Sequence, residues 1–263
     1  MMMKNPEPLK RRLRRGEPCK GTFALFSAGG DFPLFLAGLG FDFFIFDLEH
    51  SAFDLARTRE TLLGARAAGI AAIVRVPEIA YHFVARVLDA GASGIMLPRV
   101  ETRDQAEQLV RFCRYPPLGE RGISTFAGHN DFTRIPDVPR FLQEKNDEIL
   151  VVVQIETVTG VERCDTIVSV PGVDACFVGT GDLAMSMGFA GQPQHPEVLA
   201  QTQKVLATAR AHDRIVSLPI RAPEDVARWV GDGMRMLTLG TDGLMFSSGA
   251  GLYLNEVNRC TSP

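Results

Sequence analysis

Four apolar runs of this 263-residue sequence end in side chains able to do chemistry. "FDFFIFDLEH" (41–50) stops at Asp47, Glu49 and His50, and "AAIVRV" (71–76) carries Arg75. "ILVVVQIE" (149–156) ends in Gln154 and Glu156, and "VDACFVG" (173–179) runs into "GTGDL" with Asp182. Glu156 and Asp182 are hard oxygen donors suited to Mg²⁺ or Mn²⁺; two protein carboxylates leave positions open for water and substrate, as Lewis-acid catalysis requires. Arg75 offers a planar fork for a carboxylate or a developing oxyanion. His50 has an ordinary pKa that suits proton transfer near neutrality. "GTGDL" opens a helix, so the amides around Gly181 and Asp182 suit a substrate carboxylate. Together these parts fit proton abstraction beside a carbonyl with a metal-held enolate. Taken singly, each has a plainer reading: a helix cap or ion-pair partner for Glu156 or Asp182, a structural pair for Arg75, a satisfied rim histidine for His50. "GTGDL" lacks the GxGxxG spacing and gives a dinucleotide loop little support.

These residues can meet only if the runs that carry them lie side by side. The chain has eight short apolar runs: 22–26, 42–47, 71–76, 93–98, 149–156, 173–179, 214–220 and 234–240. They alternate with amphipathic stretches, the pattern of parallel strands joined by helices. Asp31, Asp54 and the Thr102/Gln105 pair are placed to start helices, and Gly40, Gly69 and Gly91 to end them. Eight such units predict a single-domain (β/α)8 TIM barrel, with an open doubly wound sheet as the runner-up. In a barrel the active site lies at the C-terminal strand ends, which is where the polar residues fall. Residues 1–19 read as an N-terminal extension with a helix, and 20–263 as the barrel domain. The proline-rich segment 114–148 interrupts the alternation and reads as a functional loop.

Composition narrows the classes. The chain is 46% hydrophobic and 22% charged, with a net charge of -3, which argues against a large nucleic-acid surface. No apolar run reaches the length of a membrane span. Five cysteines (Cys19, Cys113, Cys164, Cys176, Cys260) form no CxxC pair, and no signal-like stretch follows Met1. A reduced, cytoplasmic setting is the expectation. The basic run "KRRLRR" (10–15), flanked by Glu7 and Glu17, reads as a solvated helix, with an anion-binding patch as the lesser reading.

In order, "FDLEH", "RVPE", "VLDAGASGIMLPRVET", "RYPPLGERGIS", "VVVQIET", "VDACFVGTGDLAMSMG" and "GQPQHPEV" resemble the HpcH/HpaI aldolase branch of the citrate lyase superfamily, above all its metal-dependent class II pyruvate aldolases. The resemblance runs from about Lys20 to Tyr253. It implies a TIM barrel assembled as a trimer or hexamer, with the last helix packed on a neighbouring barrel. It implies Glu156 and Asp182 as metal ligands, Mg²⁺ or Mn²⁺ being expected and Co²⁺ a further option. Arg75 would bind pyruvate and stabilise the transition state, His50 would be the catalytic base, and Asp89 would raise its basicity. Gln154, Gly181 and Asp182 would surround the pyruvate. The implied reaction cleaves a 2-keto-4-hydroxy acid, either a 2-keto-3-deoxy sugar acid or a 4-hydroxy-2-oxo-dicarboxylate, to pyruvate and an aldehyde. The lysines (Lys4, Lys10, Lys20, Lys145, Lys204) fall at none of the catalytic strand ends, so no Schiff base is expected.

Three features stay open. Asp89 sits near the end of a helix that should point away from its own catalytic rim; an irregular segment or a neighbouring subunit would resolve this, and a surface helix acid is its plainer reading. Thr180 stands where the family usually has proline, and "STFAGHNDF" (124–132), with His129, replaces the usual Ala- and Arg-rich loop. Asp47 and Glu49 read as supports for the residues around them. The rival functions are a lyase acting on a malyl- or citramalyl-type CoA thioester, a phosphoenolpyruvate-utilising barrel and a non-catalytic ligand-binding barrel.

Overall fold

The strand alternation sets the architecture. A computed structural model describes residues 7–261, and all eight predicted runs form strands there: β1 (Cys19–Ala24), β2 (Phe43–Asp47), β3 (Ala71–Arg75), β4 (Gly94–Leu97), β5 (Leu150–Ile155), β6 (Ala175–Val178), β7 (Ile215–Ser217) with β8 (Pro219–Ile220), and β9 (Met236–Thr241). Every pairing is parallel. The order is β7-β6-β5-β4-β3-β2-β1-β9-β8. β7 and β8 are two halves of one strand interrupted at Leu218; β7 pairs with β6 and β8 with β9, which closes the sheet into a (β/α)8 barrel. Side chains reinforce this seam: the Ser217 hydroxyl donates to the Met236 carbonyl at 2.8 Å and lies 3.0 Å from the Thr238 hydroxyl.

Local signals explain the helix ends. Asp54 accepts from the Arg57 amide at 2.7 Å, and Thr102 and Gln105 form the reciprocal capping box. Gly69 and Gly91 end their helices at positive φ, 70° and 115°, where a Cβ is disfavoured. The helix Asp31–Gly38 departs from expectation: Asp31 is its first residue and makes no capping bond, and Gly30 takes the cap position.

Parity along each strand divides the core, because successive side chains face opposite sides. Phe43, Ile45, Ile73, Met96, Leu150, Val152, Ala175 and Phe177 pack inside the barrel. Their neighbours Phe44, Phe46, Val74, Ile95, Val151, Val153 and Cys176 pack outward under the helices. Gly21 makes room for the inward Phe43: a Cβ on it would meet that ring at 2.3 Å.

The helix Leu9–Arg14 belongs to the barrel interior as well. Leu9 and Leu13 are 4% and 3% exposed and join the inside cluster, plugging the barrel floor. Each buried leucine contributes roughly 1.5–3 kcal/mol. The basic run is therefore not a free solvated helix. Lys10 lies 2.8 Å from Asp174, Arg12 bridges Glu17 and Asp42, Arg14 reaches Asp213 and Arg15 reaches Glu7.

At the other end, the helix Asp242–Thr261 has no buried residue. Asp242 ties its start to the barrel rim by accepting from the amides of Leu25, Phe26 and Ser27. Beyond that anchor Leu252 and Tyr253 are 74% and 81% exposed, and Leu34 and Phe35 of Asp31–Gly38, with Leu39 just after it, are also open to solvent. No helix among the described residues is long and apolar enough to cross a membrane.

Candidate active site

The strand parity that fills the barrel with phenylalanine and isoleucine also builds its catalytic rim. Two residues beyond inward Ile45 comes Asp47, two beyond inward Ile73 comes Arg75, and two beyond inward Val152 comes Gln154, followed by Glu156. β2 and β3 pair with Asp47 directly opposite Arg75. The Asp47 carboxylate accepts from Arg75 Nε at 2.8 Å and Nη2 at 2.6 Å, a bidentate pair in which Asp47 is fully buried. Arg75 Nη1 stands 3.1 Å from Glu49 Oε2, and the guanidinium lies 5.0 Å over the Phe23 ring. Burial alone would lower the arginine's pKa; Asp47, Glu49 and Glu156 hold it above its ordinary value. Asp47 and Glu49 thus fix the arginine in place.

Glu156 is 2% exposed. Its Oε1 accepts from the Arg99 amide at 2.9 Å, and its Oε2 accepts from the Gln154 side-chain amide. Burial pushes its pKa up to about 7, with Asp182 and Glu49 adding to the rise against the two donors. Glu49 is raised too, first by burial and then by Asp47 and Asp182, against Arg75 and His50. Asp182 and Glu49 thus disfavour the ionised form of Glu156, a repulsion that a cation held between Glu156 and Asp182 would relieve. Gly179 opens the space: a Cβ there would sit 2.1 Å from Glu156 Oε2. Gln154 Oε1 is buried with no hydrogen-bond partner.

This donor set fits a divalent cation. Glu156 and Asp182 would hold it from the end of β5 and from the third residue of the helix Thr180–Ser186. Among the described residues no three acidic, histidine or cysteine side chains converge on a metal position, so water and substrate oxygens would complete the coordination.

Asp182 borders a cleft of about 340 Å³ whose walls also include Phe23, His50, Arg75, Gln154 and Arg221, with Glu156 buried behind Gln154. Gly181 and Thr180 also line it. His50 stands on its rim, its side chain 53% exposed and Nε2 3.7 Å from Glu49. Arg221 follows β8 directly and carries no motif; its only sequence signal is its position one residue past an apolar run.

Asp89 lies elsewhere. Within the chain it accepts from Arg121 at 2.8 Å and sits 3.2 Å from His129 Nδ1. Burial would raise its pKa, but His129 and Arg121 bring it below the ordinary value. His129 is not a surface-loop residue: it is 4% exposed, with its ring 5.4 Å from Phe141. The long loop folds inward because Asp131 anchors it, accepting two bonds from Arg66 at 2.6 and 2.7 Å.

With this geometry in hand, similarity to known proteins can be set beside it. The sequence model of the HpcH/HpaI aldolase/citrate lyase family matches residues 31–248. A 5-keto-4-deoxy-D-glucarate aldolase of Klebsiella pneumoniae is 35% identical over 204 residues, 78% of this chain and 78% of that protein. The crystal structure of an HpcH/HpaI aldolase from Desulfitobacterium hafniense DCB-2 superposes with a TM-score of 0.91 at 32% identity, covering 95% of this chain and 96% of the other. The citrate synthase SbnG superposes with a TM-score of 0.89 at 28% identity, covering 97% and 99%.

Proposed function

The chain belongs to the HpcH/HpaI aldolase/citrate lyase family, and from that membership we propose that it is a metal-dependent carbon–carbon lyase cleaving a 2-keto-4-hydroxy acid to pyruvate and an aldehyde. The sugar-acid aldolase at 35% identity supports a 2-keto-3-deoxy sugar acid as the substrate class. The observation that carries the reading is the clamped Arg75 beside a buried, electrostatically strained Glu156.

Glu156 and Asp182 would hold the divalent cation, Mg²⁺ or Mn²⁺. When bound it supplies Lewis acidity toward the keto oxygen. Gln154 and Gly181 border the pyruvate moiety. His50 takes the proton of the 4-hydroxyl, directly or through water, as the bond between C3 and C4 breaks. Arg75 donates to the oxygen that gains charge as the enolate forms. Of its five N–H donors Asp47 takes two and Glu49 faces a third, which leaves the rest for substrate. Preorientation matters here because a donor already aimed costs no rearrangement in the transition state.

Asp89 serves the His50 of a neighbouring copy, and the helix Asp242–Thr261 docks its apolar side chains on that neighbour, giving a trimer or hexamer. The exposed faces at both ends of the chain support this reading, as does the separation of Asp89 from its own cleft. A cytoplasmic setting completes it.

The test is a retro-aldol screen of 2-keto-3-deoxy sugar acids and 2-keto-4-hydroxy dicarboxylates with Mn²⁺, coupled to pyruvate detection. Turnover that EDTA abolishes and Mn²⁺ restores is expected; full activity in EDTA defeats the metal assignment. The likeness to a citrate synthase favours one second reading, carbon–carbon chemistry on a CoA thioester. Turnover of CoA esters with none of 2-keto-4-hydroxy acids would select it.

A further inference from the structure

Arg221 stands apart from the other charged groups of the cleft. It makes no hydrogen bond, ion pair or ring contact with any described residue. Arg75, by contrast, is countered by two carboxylates, Asp47 and Glu49. Arg221 leaves the wall just after β8, across the barrel from β3, and lines the same cleft as Gly181 and Asp182. Its Nη2 lies 3.6 Å from where a Cβ on Gly181 would be, so the absence of a side chain there leaves it room. The cleft thus presents a guanidinium with no counter-ion among the described residues, close to Gly181.

Resting on the aldolase reading, we propose that Arg221 binds the carboxylate of the 2-keto acid that lies against Asp182 and Gly181, supplying the charge that Arg75 cannot. Its planar fork suits a carboxylate held in two places. Its role is binding, separate from the enolate chemistry at Arg75. Arg221 therefore sets the affinity for pyruvate whatever the aldehyde.

The experiment compares wild type, Arg221→Ala and Arg221→Lys, each loaded with Mn²⁺. Pyruvate binding is measured by titration calorimetry, and exchange of its methyl protons in D₂O by NMR with no aldehyde present. Arg221→Ala should weaken Kd and raise the KM for exchange about tenfold or more, the loss of a charged hydrogen bond. The kcat for exchange should stay within about twofold, and Arg221→Lys should recover part of the affinity. Because Arg221 is exposed and unpaired, the melting temperature should not move. An unchanged Kd in Arg221→Ala overturns the proposal. So does a defect seen only in a parallel cleavage assay, and only with substrates whose aldehyde half bears a carboxylate, which would put Arg221 at the far end of the substrate. If wild type neither binds pyruvate nor exchanges its protons, the aldolase reading itself falls, and this one with it.

Discussion

Asp47 and Arg75 face each other at the tops of adjacent strands and share two hydrogen bonds, 2.8 and 2.6 Å, in a buried setting. Removing one member of such a pair leaves an uncompensated charge inside the protein, a loss of about 3–5 kcal/mol. Asp47→Ala should therefore lower unfolding stability by that order in urea titrations. Asp47→Asn preserves the shape and lets the arginine swing. It should reduce the kcat of both pyruvate proton exchange and aldol cleavage by about tenfold to a hundredfold, with KM changed less. Equal rates in wild type and Asp47→Asn would show that the clamp has no part in catalysis.

Arg75→Lys should be nearly as harmful to exchange as Arg75→Ala. A lysine ammonium cannot satisfy Asp47 in bidentate fashion and reach Glu49 as well. Exchange kinetics of the two variants, side by side, check this.

Gly179→Ala should damage metal binding. The added methyl would sit 2.1 Å from Glu156 Oε2 and force that carboxylate aside. A fall in Mn²⁺ affinity of about tenfold or more is expected, in the range seen when a ligand's support is lost. Electron paramagnetic resonance of free Mn²⁺ during titration reads it directly, without turnover.

The pH dependence has a definite sign. Glu156 has a folded pKa of about 7 against an ordinary value of 4.5. The stability it contributes to the metal-free protein is present in full below about pH 4.5 and is lost as pH rises through about 7. The cation needs the ionised form, so it competes with a proton in the acid range. Saturating Mg²⁺ or Mn²⁺ should raise the melting temperature more at about pH 8 than at about pH 6, as differential scanning calorimetry would record. Equal increments at both would contradict the strained carboxylate.

Mixing tests the shared site. His50→Ala and Asp89→Ala should each be nearly inactive, and co-refolded together should regain part of the activity, because some interfaces would then carry both intact residues. Leu252→Asp with Tyr253→Asp should reduce the mass seen by light scattering and abolish that rescue. A wild-type protein that runs as a monomer at full activity would rule out the shared arrangement.

Much of the barrel was legible because hydrophobic runs and turn chemistry agree with it. All eight runs became strands, and Asp54 and Thr102 capped the helices they precede. The split of 214–220 into β7 and β8 was not legible: "RIVSLPI" reads as one strand, and only pairing on two sides reveals the break at Leu218. The clamp was half legible. Parity alone puts Asp47 and Arg75 on the same inward face, but which acid holds the arginine depends on register, a long-range property. The burial of His129 was not legible because segment 114–148 has no period; it comes from ion pairs made across the fold, such as Arg66 with Asp131. Arg221 was missed because no motif marks a lone arginine after a strand.

The seam at Leu218 has a dynamic side. There the ladder to β9 is carried by a strand of two residues, Pro219 and Ile220, and proline has no amide to donate. Short, sparsely bonded segments open at lower free energy than the rest of a fold. Amides along this seam should therefore exchange with deuterium well before those of β2 or β5. Pro219 and Arg221 stand on it and border the cleft, so the substrate's carboxylate would be met by the wall of the barrel that breathes most.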